Sequence, residues 1–373
     1  MTGPIDQKEL LNHAGALVEA AMSAGASAAD AVVIRGQSQS ISCRLGKIDS
    51  VDRSEGDDAG LRVFVGKRQA IVSSNQFDPS GIAALASRAV DMARISPEDP
   101  YVGLADKSSL ATSLPELDLV DDTQVSVDKL EERAREAEDA ERAVEGITNS
   151  NGASASWSLA GVTLASSDGF QGQYLRSGHS LSCSVVAGTG TAMETDYDYA
   201  TATHLEDLPV CRVIGQNAAQ RVTKRVNPKT PESGAISVVF EPRVAASLVG
   251  HLAGAINGTA IARRSSFLKD HLEKQVFSTG VAIIDDPLRV RGLRSRPFDG
   301  EGVSVSKRNL VENGVLRSWL LDCATARELG LQTTGHATRG VGSPPSPGSS
   351  NLHMAAGQVS ASELIAGVRQ GVF

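Results

Sequence analysis

The chain has 373 residues, enough for two domains or three small ones, each with its own core. A net charge of −8 excludes a general nucleic-acid surface, because phosphate binding needs clustered Lys and Arg. Hydrophobic residues make up 41% but aromatics only 4%, so the cores rest on Ala, Val, Leu and Ile, and 36 glycines fit an α+β architecture with many turns.

Residues 8–24 read as an amphipathic helix. Leu10, Leu11, Ala14, Leu17, Val18 and Ala21 fall on one face, and Gly25 ends it. Strands are expected over 31–35, 40–45, 47–53, 61–65 and 69–73, with Gly66-Lys67 as a tight turn. Leu61, Val63 and Val65 alternate with Arg62 and Phe64, the pattern of a sheet buried chiefly on one face. A second helix over 79–93 completes an α–β–α unit, with helices covering one face of an antiparallel or mixed sheet.

Residues 96–122, rich in Pro, Asp and Ser, read as a loop and a candidate sub-boundary. The run KLEERAREAEDAERAV places a charged helix over 125–144, whose pattern is that of a solvated face. A β-rich segment follows over 146–203, with turns at Asn151-Gly152 and Asp168-Gly169, and then a helix over 206–222.

Asn227-Pro228-Lys229-Thr230-Pro231 is the best domain boundary, since two prolines within five residues cannot continue a helix. It separates an N-terminal α+β domain, 1–228, from a C-terminal β-rich mixed domain, 232–373. The latter opens with a strand over 235–240 and a helix over 244–256. Asp285-Asp286-Pro287 reads as a turn ending a strand over 281–284. Asn313-Gly314 signals a hairpin of 304–311 with 315–321, and Gly330 stops a short helix over 323–329. Ser343 opens the irregular loop SPPSPGSS, and Ser360-x-x-Glu363 is a capping-box signature for the last helix.

Cys43, Cys183, Cys211 and Cys323 form no CxxC pair and read as reduced, partly buried thiols. The start, MTGPIDQKELLNHAG, lacks the basic residues and apolar run of a signal peptide. No apolar run approaches the roughly 20 residues of a membrane helix. A soluble, cytoplasmic protein is expected, without membrane or nucleic-acid contact.

The block NLVENGVLRSWLLDCATARELGLQTTGHA, residues 309–337, resembles the C-terminal domain of the TldD/PmbA family, whose old label is modulator of DNA gyrase. It lies closer to the PmbA (TldE) branch. The resemblance covers nearly the whole chain and implies a PmbA/TldD-like fold, with an N-terminal α/β-sandwich-like region and a β-rich mixed C-terminal domain. TldD-type chains carry an HExxxH zinc motif on a helix, and PmbA-type chains do not. The two types pair into one peptidase with zinc on the TldD side. The resemblance therefore implies a subunit without its own metal that forms a heterodimer with a TldD-type chain, a homodimer being the other arrangement. It would help enclose a channel for small or unfolded peptides. Family members continue for several dozen more residues, so the C-terminal domain is expected to be incomplete and the chain truncated.

A zinc hydrolase needs about three protein ligands, an open position for water and usually a carboxylate. In the family, HExxxH lies on the helix after a strand; here that strand is 236–240 and the helix reads RVAASLVGHLAGAINGTA. The matching window, VGHLAG, offers His251, no carboxylate and no second histidine, so no ligand carries over. His251 sits beside Val244, Leu248 and Ala255 at the edge of the apolar stripe and reads as half-buried. His271 and Glu273, two residues apart, do not share a helix face. A metal site of His251, His271 and Glu273 is the fallback under which the chain is an independent metallopeptidase. A further alternative is a non-proteolytic binding or assembly protein.

METDYDYATATHLEDL, residues 193–208, also resembles the family. Alternation puts Asp196 and Asp198 on one strand face and Tyr197 and Tyr199 on the other. They form the wall of a peptide cleft or subunit interface, or else an ordinary half-exposed strand. Asp299-Gly300-Glu301-Gly302 reads as a flexible, solvated turn. The family context places Asp299 and Glu301 near the interdomain groove, as candidates for substrate or partner contact. GTGTAM, residues 188–193, lacks the third glycine of a dinucleotide loop, and neither a GK[ST] phosphate loop nor a G-x-S-x-G elbow occurs.

Overall fold

The computed structural model describes residues 5–123, 125–228, 232–369 and 371–372. Lys229, Thr230 and Pro231 of the expected boundary lie outside the described residues.

Two helix–meander–helix units build the first part of the chain. The first is α1 (Gln7–Ser23), β1 (Ala28–Arg44), β2 (Lys47–Val65), β3 (Arg68–Ser74) and α2 (Pro79–Ile95). The second repeats the order: α3 (Val127–Arg142), β4 (Ile147–Ser166), β5 (Gln171–Ala187), β6 (Glu194–Ala202) and α4 (Cys211–Arg225). Their strands merge into one antiparallel sheet of order β3-β2-β1-β4-β5-β6. The seam between the units is the β1–β4 ladder, which runs from Asp30↔Ser166 to Cys43↔Ala153.

The segments 31–35 and 40–45 form one strand, as do 47–53 and 61–65. The glycines and polar residues that read as breaks stay paired, Gly36 with Gly56 on one side and Ala160 on the other. The expected helix over 206–222 begins only at Cys211, because Pro209 disfavours a helical conformation for the residue before it.

All four helices cover the same sheet face. α1 and α2 bury Val33, Leu61 and Val63, and α3 and α4 bury Ile41, Ala155, Leu181 and Val185. Gly215 lets α4 approach α3 so closely that a Cβ there would lie 2.1 Å from the Ala137 carbonyl oxygen. Cys43, Cys183, Cys211 and Cys323 are buried free thiols.

α3 has the expected solvated face, with Asp128, Lys129, Glu132, Glu136, Asp139 and Arg142 exposed, but two of its glutamates lie on the buried side. Leu130, Ala134, Ala137, Glu138 and Glu141 are all buried. Glu138 accepts the N–H groups of Leu45 (2.5 Å) and Gly46 (2.9 Å) in the β1–β2 turn. The Ser150 hydroxyl lies 2.8 Å from Glu138 and 2.7 Å from Glu141. Burial pushes the Glu141 carboxyl up to about 7. Charge patterning cannot reveal such acceptors, because the donors lie far away in sequence.

The second part contains β7 (Ser237–Val238), α5 (Pro242–Ala255), α6 (Gly258–Ala262), β8 (Ile283–Asp285), β9 (Arg308–Glu312) and β10 (Val315–Leu316). It continues with α7 (Cys323–Glu328), β11 (Ala337–Thr338), β12 (Ser346–Pro347), β13 (Leu352–Met354), α8 (Ala361–Ala366) and β14 (Gly371–Val372). A sheet of order β10-β9-β8-β13 carries a core of Ile256, Ile283, Leu310, Leu316 and Leu320. The strands expected over 235–240, 304–311 and 315–321 are shorter, reduced to β7, β9 and β10. Asn313 and Gly314 turn the hairpin with φ of 49° and 77°. Ser360 and Glu363 form both hydrogen bonds of the capping box at α8. The observed architecture is the α+β arrangement read from the sequence. Among the described residues, no helix is long and apolar enough to cross a membrane.

Candidate functional site

Directly opposed residues in an antiparallel ladder share a face. On the helix-free face, Ser38 therefore lies beside Ser54 and Ser158, Ser40 beside Asp52 and Ser156, and Ser42 beside Ser50 and Ser154. The row continues through Ser180 and Ser182 on β5 to Thr201 and Tyr199 on β6. The result is a floor lined mainly by hydroxyl groups and ending at Tyr197 and Tyr199. Towards the other strand ends the same face is closed by Val32, Leu164, Phe170 and Phe298, which attach the second part of the chain.

Asp196 and Asp198 are buried on the helix side, while Tyr197 and Tyr199 remain about half exposed, at 49% and 54%. Asp198 accepts from Arg221 (2.6 Å) and Asn217 (3.0 Å). Asp196 accepts from Arg243 (3.1 Å) and Arg225 (3.2 Å). Burial works to raise the Asp196 carboxyl, but the Tyr197 N–H and both arginines outweigh it and hold it below the usual range. The tyrosine rings are stacked 6.1 Å apart. The Arg243 guanidinium lies 4.7 Å from the Tyr197 ring centre and donates to the Tyr197 carbonyl at 2.7 Å. Arg243 thus ties the start of α5 to the edge strand. A cavity of about 640 Å³ opens between Ser158, Tyr199 and Thr201 on the sheet and Arg243, Leu293 and Arg294 opposite.

Within α5 only Leu252 is buried. His251 is exposed rather than half-buried, and Val244 and Leu248 are exposed with it, because little of the chain covers this helix. Glu273 pairs with Arg317. Among the described residues, no group of three His, Cys, Asp or Glu side chains is placed to hold a metal ion. His251, His271 and Glu273 are therefore not brought together, and the single imidazole of α5 does not fit a zinc ion.

Asp299 and Glu301 are buried, which corrects the solvated turn. Asp299 accepts the N–H groups of Glu301 (2.9 Å), Val303 (2.9 Å) and Ala337 (3.0 Å). Burial, then the charge of Glu301, pushes its carboxyl up to about 7. Glu301 accepts the Cys323 N–H at 2.8 Å and faces Arg62 at 3.4 Å. Asp285 is not an exposed turn residue either. It is buried, accepts from the Ser350 N–H (2.7 Å) and hydroxyl (2.6 Å), and pairs with His336 at 3.3 Å. Ser350 bonds the carboxylate and not the imidazole, so these three groups form a brace rather than a nucleophile relay. Sequence reasoning passed over Arg176, Arg243, Arg294 and Arg296; the only signal was their basic type in an acidic chain.

Family models of the PmbA/TldA metallopeptidases match three stretches. Domain 1 matches residues 29–93, the central domain 121–226 and the C-terminal domain 233–373. The metalloprotease PmbA homolog of Haemophilus influenzae is 36% identical over 332 residues, covering 89% of this chain and 73% of its own length. Metalloprotease PmbA of Escherichia coli O157:H7 is 35% identical over 332 residues, covering 89% and 74%. The crystal structure of a candidate modulator of DNA gyrase from Bacteroides thetaiotaomicron aligns with a TM-score of 0.89 and 26% identity, over 99% of this chain and 82% of that one. TldE from Thermococcus kodakarensis shares the fold, with a TM-score of 0.80 and 18% identity over 96% and 81%.

Proposed function

Since the chain belongs to the PmbA/TldD metallopeptidase family, we propose that it is a PmbA/TldE-type subunit that pairs with a TldD-type chain in the cytoplasm and walls a channel for small or unfolded peptides. The observation that carries this reading is the hydroxyl-floored groove between the open sheet face and the second part of the chain. Serine and threonine hydroxyls both donate and accept, so they suit a peptide backbone of any sequence. Tyr197 and Tyr199 add apolar area with a polar tip. A cavity of about 640 Å³ is of the size that takes several residues of extended chain and no folded domain.

α5 supports the division of labour. On the family resemblance α5 takes the place of the zinc helix, and it has His251 as its one imidazole and no carboxylate between Pro242 and Ala255. Val244 and Leu248 on its exposed side offer apolar surface to a partner. The partner's zinc would supply Lewis-acid activation of the scissile carbonyl and of water. This chain's part is to bind the peptide, orient it and exclude bulk solvent.

Metal analysis with a peptidase assay tests the reading, on the chain alone and mixed with a TldD-type chain. Turnover only in the mixture, with little zinc on this chain, is expected. Zinc near one equivalent on the isolated chain, with turnover lost in His251→Ala, would make it an independent metallopeptidase. A complex with no turnover in any mixture would make it an assembly protein.

A further inference from the structure

The Ser150 hydroxyl is buried and has more neighbours than one hydrogen can serve. The Gly152 N–H donates to its oxygen at 2.9 Å. Glu138 and Glu141, one turn apart on α3, each place a carboxyl oxygen against it, at 2.8 and 2.7 Å. A hydroxyl has a single hydrogen and an ionised carboxyl has none. A second hydrogen must therefore sit between Ser150 and one of the glutamates.

Glu138 is not its carrier. Both Glu138 oxygens accept backbone N–H groups, from Leu45 and Gly46 of the β1–β2 turn. Burial works to raise its carboxyl, but the Gly46 N–H, Ser150 and the Leu45 N–H outweigh it and hold it below the usual range. Around Glu141 the balance is reversed. Burial dominates and the Glu138 charge adds to it, while the hydrogen-bonding neighbours are Ser150 and the Cys183 thiol, a weak donor on β5. The other charges lie further out. Arg142 on α3 acts on both glutamates but is exposed, and Asp198 on β6 acts on Cys183. Arg44 on β1 donates to the Ser150 carbonyl at 3.0 Å, and α4 approaches through the uncharged Gly215.

The turn depends on this grip. Leu45 takes a φ of 52°, uncommon for a leucine, and is 49% exposed, so packing does not hold it there. Its anchors are Glu138 and Arg135, which donates to the Gly46 carbonyl at 2.6 Å. Without the Glu141 proton, two carboxylates compete for one hydroxyl hydrogen in a dry site. The exposed turn is the side on which Glu138 can reach water.

We propose that Glu141, Ser150 and Glu138 form a proton-operated latch on the β1–β2 turn, closed while Glu141 carries its proton and opened when the proton leaves. Ser42 and Ser50, the hydroxyl pair at the end of the groove floor, flank this turn, so the latch governs the order of that end. The latch does not depend on what the groove binds.

The test is amide hydrogen exchange of the full chain by NMR, each rate divided by the intrinsic rate at the same pH. Protection at Leu45 and Gly46 should fall about tenfold between about pH 6 and pH 8. The Gly314 amide, held by the Val281 carbonyl at 2.8 Å in the other hairpin, should keep its protection. Glu141→Gln retains a donor for Ser150 and cannot ionise, so its turn should stay protected throughout. Glutamate-specific carbon-13 labelling should show one carboxyl titrating at the midpoint of the turn amides, and it decides if Glu141→Gln does not fold. Protection at Leu45 and Gly46 that is level with pH, an equal fall at Gly314, a fall that survives in Glu141→Gln, or no such carboxyl overturns the proposal.

Discussion

Arg339 donates to the Asp30 carboxylate on β1 at 2.5 Å, across 309 positions of sequence. Arg62 on β2 donates to the same carboxylate through Nε at 3.0 Å and faces Glu301 at 3.4 Å. All four side chains are buried, so the second part of the chain is clamped to the sheet by a dry charge network. Burial works to raise the Asp30 carboxyl, but Arg339 and then Arg62 outweigh it and hold it below the ordinary aspartate range. Replacing Asp30 by Asn strands the arginines and should cost about 3–5 kcal/mol in urea unfolding at neutral pH. The contribution of a lowered carboxyl is complete above its unfolded value and disappears as pH falls through the folded one. The deficit of Asp30→Asn should therefore shrink in acid.

Glu141 carries the opposite sign. Its carboxyl sits at about 7 in the folded chain, so its proton binding favours the folded state below the ordinary glutamate range. That advantage is lost as pH rises through about 7. Glu141→Gln should melt close to the unmodified chain near pH 5 and above it near pH 8, by about 1–3 kcal/mol. Thermal melts across that range check it, and identical pH profiles would contradict it.

Two glycine substitutions should move stability in opposite directions. A methyl at Gly215 meets the Ala137 carbonyl, a backbone atom that cannot swing away. Gly215→Ala should destabilise by about 1–3 kcal/mol or more. A methyl at Gly250 on α5 meets nothing within 4 Å, so Gly250→Ala should stabilise by roughly 0.5–1 kcal/mol. Denaturant midpoints of the two variants give the comparison.

Tyr197 and Tyr199 stand about half clear of the fold, so truncating both should leave the melting temperature within a few degrees. Peptide binding in the groove should weaken by about tenfold or more, because exposed aromatic anchors carry a large share of contact energy. Fluorescence anisotropy with a labelled extended peptide reads this directly. Unchanged binding would move the contact surface away from β6.

Much of the fold is legible in the sequence, and the reasons are local. Leu10, Leu17 and Ala21 mark α1 by period, Asn313-Gly314 fixes a turn by backbone sterics, and Ser360 with Glu363 caps α8. The alternation in β6 separates Asp196 and Asp198 from Tyr197 and Tyr199 with no tertiary information. What escapes is decided at long range. Asp285, Asp299, Glu138 and Glu301 look solvent-facing because their donors come from distant segments such as Ser350, Ala337, Leu45 and Cys323. Arg176, Arg294 and Arg296 likewise line one cavity only through the way β5 meets the loop before β9, which no periodicity encodes.

The central β1–β4 ladder makes the two meanders obligate companions. Severing the chain in the 96–122 loop and separating the fragments would bare an unpaired edge on each, spanning residues 30–43 on one and 153–166 on the other. Either fragment alone would seek another copy to satisfy those amides, whereas the two supplied together would re-knit across the seam, as the halves of a split reporter do.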